Sequence, residues 1–189
     1  MVLTNTRLLM AMATSEFEPW SILEFNVVPP QFATYFLMNF PSLHSPEGGF
    51  KSIPLFTEND IPLVIWSQRG ISENSDPQAK DRAYKILRWL IDNGESVNEK
   101  APGGYTAIHE SILFRNPVYM NIVIEAGADL EQTIDSPRSK VHGLDAIGFL
   151  DRLDHQGSKE EYRELRIILE KAYFDQGIEC GKCILESHR

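Results

Sequence analysis

Cysteine is nearly absent from this 189-residue chain, which has only Cys180 and Cys183. That excludes the disulfide framework of a small secreted domain and points to a reducing compartment, the cytoplasm. Long apolar runs are missing too. Near the N-terminus, Leu8 to Ala13 follows Arg7 but is shorter than a typical signal-peptide core, although Ala11-Met12-Ala13 imitates a cleavage site. No run approaches the roughly 18 apolar residues needed to span a bilayer, so a soluble chain without a membrane partner is expected. Bases are scarce relative to acids, 18 Lys and Arg against 27 Asp and Glu, for a net charge of −9. A phosphate backbone is repelled by such a chain on average, and no segment forms a basic patch, which argues against a nucleic-acid partner. With 11 Pro and 12 Gly the chain is no low-complexity sequence, and its hydrophobic fraction of 42% suits a globular core.

Catalytic signatures are lacking as well. No G-x-S-x-G, G-x-x-x-x-G-K-[ST], H-E-x-x-H or G-x-G-x-x-G pattern occurs, so the common hydrolase, P-loop, zinc-protease and dinucleotide motifs all fail. Neighbouring carboxylates such as Glu160 and Glu161 read as the solvent face of a charged helix. His44, His142 and His155 stand in polar, loop-like sequence without a carboxylate at a metal-building helical spacing. The chain is expected to be no enzyme and to need no cofactor. An unrecognised site assembled from residues far apart in sequence stays open.

What the chain does have is periodicity. Asn93-Gly94-Glu95-Ser96-Val97-Asn98 and Ala126-Gly127-Ala128-Asp129-Leu130-Glu131 place two glycines 33 residues apart. Each glycine follows an apolar helical stripe, Ile86, Leu87, Leu90 and Ile91 in one case and Met120, Ile122, Val123 and Ile124 in the other. Glycine after the last apolar turn is a helix stop, because only glycine takes up the left-handed conformation there at little cost. Upstream of the second stripe, Gly103-Gly104 supplies a turn and Thr106 can cap a short helix with Ile108, Ile112 and Ser111 inward. A loop at Arg115-Asn116-Pro117 then leads into the second helix.

The unit from Ala101 to Thr133 resembles the ankyrin repeat, whose pattern runs G-x-T-P-L-H-x-A, a second helix, then G-A-D-V-N. Gly104, Thr106, Ile108, His109, Ile124, Gly127, Ala128, Asp129 and Leu130 fall in register without a gap. Ala107, Ser111 and Glu131 depart from the pattern, and none of them prevents a helix pair. The preceding unit carries Pro62-Leu63 as its P-L step, with Val64 in place of histidine. It contains about twelve extra residues around Ile71 to Asp81, expected to form a solvated loop. A weaker third unit runs from Gly143 to Phe174, with Tyr162, Leu165, Ile168, Leu169 and Ala172 on one stripe and a connecting hairpin lengthened at Asp135 to Lys140. The aromatic-rich residues 1–55 read as a cap with a helix from Pro30 to Asn39.

The expected fold is therefore all-α: an ankyrin-repeat solenoid of about three degenerate helix-turn-helix repeats with irregular N- and C-terminal caps. The boundaries are 1–55 for the cap, 56–178 for the repeats (about 57–100, 101–133 and 140–178), and 179–189 for a tail. The resemblance implies a protein-binding module and makes His109 a structural hydrogen-bonding residue that ties neighbouring hairpins. It also implies a concave surface of hairpin tips and first-helix edges, here Pro102, Gly103, Tyr105, Leu113 and Phe114, flanked by Gln68, Arg69 and Arg152. Leu113 and Phe114 have an equal alternative as packing residues under a loop or the cap. A small stand-alone protein of this kind looks like a bacterial immunity protein for a co-encoded toxin or effector, an acidic binder for a basic cleft. The competing reading centres on Cys180-Gly181-Lys182-Cys183 with His188. These supply at most three ligands of the four that zinc wants, so incidental thiols, a metal site and a redox pair stand as alternatives.

Overall fold

A computed structural model describes residues 61–73, 77–155 and 159–180. The expected helix from Pro30 to Asn39 and the N-terminal cap lie outside the described residues. Six helices are described: α1 Leu63–Glu73, α2 Pro77–Asp92, α3 Ala107–Leu113, α4 Pro117–Glu125, α5 Ala146–Asp154 and α6 Lys159–Asp175. The described residues contain no strand, so they are all-helical as expected. The chain divides into two compact units, Met1–Glu95 and Ser96–Arg189.

In the first unit α1 and α2 pack against each other. Ile65, Ile71, Ala79, Ala83, Ile86, Leu87 and Leu90 are buried, the last five at the i, i+4, i+7, i+8, i+11 spacing that places them on one stripe of α2. The solvated loop expected around Ile71 to Asp81 is corrected here. Helix α1 continues to Glu73 with Ile71 buried, and α2 begins at Pro77, so most of the extra residues lengthen the two helices. Pro77 opens α2 because its missing N–H is one that a first helical turn leaves unbonded in any case.

In the second unit α3 packs on α4 and α5 on α6, while the first helices of the two pairs, α3 and α5, pack together and the second helices, α4 and α6, do the same. Helix α3 has 7 residues, too few to persist alone, and Ala107 to Ile112 are all buried. Each of Ile108 and Ile112 contributes about 1.5 to 3 kcal/mol by leaving water. Asn116 caps α4 by accepting the Tyr119 N–H at 3.0 Å, and Asp145 caps α5 by accepting the Gly148 N–H at 2.8 Å.

The helix ends repeat one device. Gly127 N–H donates to the Ile124 carbonyl and Ala128 N–H to Val123, both at 3.0 Å, which is the Schellman pattern that closes a helix with a left-handed residue. The same pair of bonds recurs at Gly94 and Gly177. It recurs once more at the end of α3, where Arg115 holds the left-handed position at φ 52. That strain is tolerated because the Arg115 Nε donates to the Tyr162 hydroxyl at 3.1 Å and its guanidinium lies 5.2 Å from the Tyr162 ring centre.

Between α5 and α6, Arg166 of α6 reaches Asp151 at 2.7 Å, Asp154 at 3.3 Å and Glu170 at 3.6 Å. Burial alone would lower the Arg166 pKa, but the hydrogen bond to Asp151 and the charges of Asp151 and Asp154 outweigh it, so the guanidinium is held more firmly protonated.

Candidate partner-binding surface

Two loops of the second unit meet, and the first of them carries Pro102, Gly103 and Tyr105 of the expected surface. The first turns at Gly103-Gly104, with Ala101 N–H donating to the Tyr105 carbonyl and Gly104 N–H to Ala101, each at 2.8 Å. The second is a longer hairpin pinned at its base by Ile134 N–H to the Leu144 carbonyl and Gly143 N–H to Ile134, each at 2.9 Å. They touch at Gly104, whose φ of +79 requires glycine and whose face a Cβ would drive into the Asp135 backbone. The Asp135 N–H faces the Gly104 carbonyl at 3.4 Å.

At the base of the first loop Thr106 and His109 close a capping box. The His109 Nδ1 accepts from the Thr106 N–H at 3.3 Å and lies 2.8 Å from the Thr106 hydroxyl. The His109 ring is buried edge-to-face against Tyr105 and Phe149, with centroids at 6.4 and 5.8 Å, and Tyr105 meets Phe149 at 5.7 Å. Burial pushes the His109 pKa down to about 4, with Lys100 adding to the effect and the Leu144 backbone opposing it, so the imidazole is neutral at pH 7. Burial, and then the Glu110 carboxylate, raise the Tyr105 pKa, and the buried Tyr119 is raised by the same two causes. The Tyr173 hydroxyl donates to the Leu130 carbonyl at 2.8 Å, tying α6 to the segment before the long hairpin.

Of the surface residues expected from sequence, Pro102, Gly103 and Arg152 are exposed, Tyr105 and Phe114 are half-buried, and Leu113 is 45% exposed. Gln68 is a correction: it is 0% exposed, buried along with Val64, Ile65 and Ser67 of α1, and presents nothing to a partner. The Arg69 side chain lies outside the described residues. Ser111 of α3 is buried as expected, and Glu110 beside it is buried as well.

The long hairpin tip is the part of the surface that residue-by-residue reasoning missed, although the stretched spacing at Asp135 to Lys140 marked it. Its tip is ordered by Ser139 N–H to the Ser136 carbonyl at 2.8 Å, His142 N–H to Ser139 at 3.2 Å, and Ser136 N–H to the His142 Nδ1 at 3.2 Å. Arg138, Lys140 and His142 stand exposed on it.

Cys180 is buried and disulfide-bonded, so its sulfur is not available as a thiolate ligand in this state. Cys183 and His188 lie outside the described residues. Among the described residues no group of His, Cys, Asp and Glu is arranged to hold a metal ion, and no helix is long and apolar enough to cross a membrane. The chain matches no family model, no curated protein and no solved structure.

Proposed function

We propose that the chain is a small ankyrin-repeat-like solenoid whose function is to bind another protein, without catalysis. The observation that carries this reading is the bond pattern of Asn98. Its Nδ2 donates to the Gly127 carbonyl at 3.0 Å and its Oδ1 accepts the Asp129 N–H at 2.8 Å, tying the segment before the Gly103-Gly104 turn to the glycine-stop loop after α4 within the second unit. Added to the Thr106–His109 box and the packing of α3 on α5 and of α4 on α6, this is the arrangement expected of helical hairpins stacked side by side. A stack of this kind holds its loops in place before a partner arrives, so little ordering is lost on binding.

The sharper form of this reading is an immunity protein that neutralises a co-encoded toxin or effector in the cytoplasm. Its lack of the common catalytic motifs and its lengthened loops support it. Affinity capture with the tagged full chain from its own cells, followed by mass spectrometry, tests both forms. One stoichiometric partner is expected, and it is lost when Tyr105→Ala and Phe114→Ala are introduced into a chain that circular dichroism shows to be folded. Recovery of nothing above background removes the reading, and a captured partner that is no toxin removes only its sharper form.

A second reading, redox control at the C-terminal tail, is favoured by the disulfide at Cys180. A melting temperature and a partner affinity that are both unchanged by reduction, or by Cys180→Ser with Cys183→Ser, would end it.

A further inference from the structure

We infer that the surface made by the long hairpin tip and the adjoining Gly103-Gly104 turn recognises an acidic segment of the partner protein, with carboxylates flanking an apolar side chain. This rests on the protein-binding reading above and assigns its partner chemistry.

The charges of the second unit are unevenly spread. The C-terminal ends of α4 and α6 and the stop segments after them carry Glu125, Asp129, Glu131, Asp175 and Glu179, all exposed and all acidic. The hairpin tip carries the exposed cations Arg138 and Lys140, neither of which makes an ion pair among the described residues. By contrast Arg163 is paired with Glu160 at 3.5 Å and Arg166 is held by three carboxylates. The tip has one carboxylate of its own, Asp135, which faces His142 at 3.9 Å. Lys100 stands exposed beside Glu99 on the segment that leads into the Gly103-Gly104 turn. The local sign is thus opposite to the net charge of −9.

At physiological ionic strength the screening length is about 8 Å, so a docked segment responds to the charges it touches rather than to the total. Tyr105 supplies the apolar part. Its ring is half-buried and fixed edge-on against Phe149, leaving an aromatic surface that loses little freedom when covered. The contact of Gly104 with the Asp135 backbone sets the base of the hairpin against the turn that leads into Tyr105, and the tip's own hydrogen bonds order the segment that carries Arg138 and Lys140. Three cations with interspersed acids are too few for a phosphate backbone, and a peptide with spaced carboxylates fits them better.

The test uses the full chain and a fluorescein-labelled peptide of Asp and Glu residues around one central Phe, read by fluorescence anisotropy at physiological salt. Saturable binding is expected, weakened about tenfold by Arg138→Glu with Lys140→Glu and changed by less than about twofold by Arg163→Glu with Lys171→Glu on α6. The same peptide with Phe replaced by Gly should bind several-fold more weakly. No saturable binding, equal or tighter binding of a Lys/Arg peptide or of a single-stranded oligonucleotide, or equal losses in the two double variants would each overturn the proposal. The two levels separate cleanly. A partner captured from cells whose binding ignores Arg138→Glu with Lys140→Glu overturns the acidic segment and leaves the binding module standing, whereas absence of any partner removes both.

Discussion

Asn98 and Asp129, 31 residues apart, are joined by a 2.8 Å hydrogen bond from the Asp129 N–H to the Asn98 Oδ1. The same side chain donates to the Gly127 carbonyl, so one amide satisfies a donor and an acceptor of the glycine-stop loop after α4 at once. Asn98→Ala should lower stability by about 1 to 2 kcal/mol in urea unfolding, since two net bonds are lost near the surface. Asn98→Asp keeps the acceptor and loses the donor, and its cost should fall between that of the alanine variant and zero.

Gly104 and Gly127 share a positive φ but differ in what surrounds them, and the comparison separates strain from collision. Around Gly127 nothing lies within reach of an added Cβ, so Gly127→Ala should cost about 1 to 2 kcal/mol for the left-handed backbone alone. At Gly104 the methyl group meets the Asp135 backbone, so Gly104→Ala should cost clearly more and shift the two loops apart. Thermal unfolding of both variants gives the order, and equal melting temperatures would contradict the contact.

The neutral, buried His109 makes stability depend on pH in a defined window. Above about pH 6.5 the imidazole is neutral both folded and unfolded, and the group adds no pH dependence. As pH falls from 6.5 towards about 4, the unfolded chain takes up the proton first and unfolding is favoured, by about 3 kcal/mol once both states are charged. Relative to wild type, His109→Gln should flatten the stability curve between those two pH values, whatever its own offset. A parallel pair of curves would show that His109 is not held neutral.

Arg166 neutralises carboxylates that have little access to water, with Glu170 only 3% and Asp154 15% exposed. Arg166→Met should cost about 3 to 5 kcal/mol at pH 7, because removing one member of a buried ion cluster leaves the others uncompensated. Denaturant unfolding of the variant and the wild type at pH 7 measures the deficit.

The second unit was largely legible in the sequence. Gly127 after its apolar stripe, Thr106 before a short helix and Pro117 at the start of the next are local signals, and each acts through backbone geometry that its residue type sets. The end of α3 was harder to read because Arg115 takes the left-handed position, and what stabilises it is Tyr162, distant in sequence. The segment around Ile71 to Asp81 was misread as a loop. Its polar composition resembles solvated sequence, while the burial of Ile71 that extends α1 is a tertiary fact. Gln68 was placed on the surface by analogy with a free first-helix edge, and no local signal announces that this edge is covered. The place of the long hairpin is likewise set by a tertiary contact, that of Gly104 with the Asp135 backbone, between loops separated by a helix pair.

The central claim, that this chain binds a protein through its loop surface, is tested most directly by photo-crosslinking in its own cells. A photoreactive amino acid is placed at Pro102 on the loop surface in one chain and at Glu164 on the exposed side of α6 in another. The account predicts one crosslinked protein from position 102, absent from position 164 and reduced by Arg138→Glu with Lys140→Glu. Crosslinks from position 164 alone, or from neither position in folded, expressed chains, would contradict it.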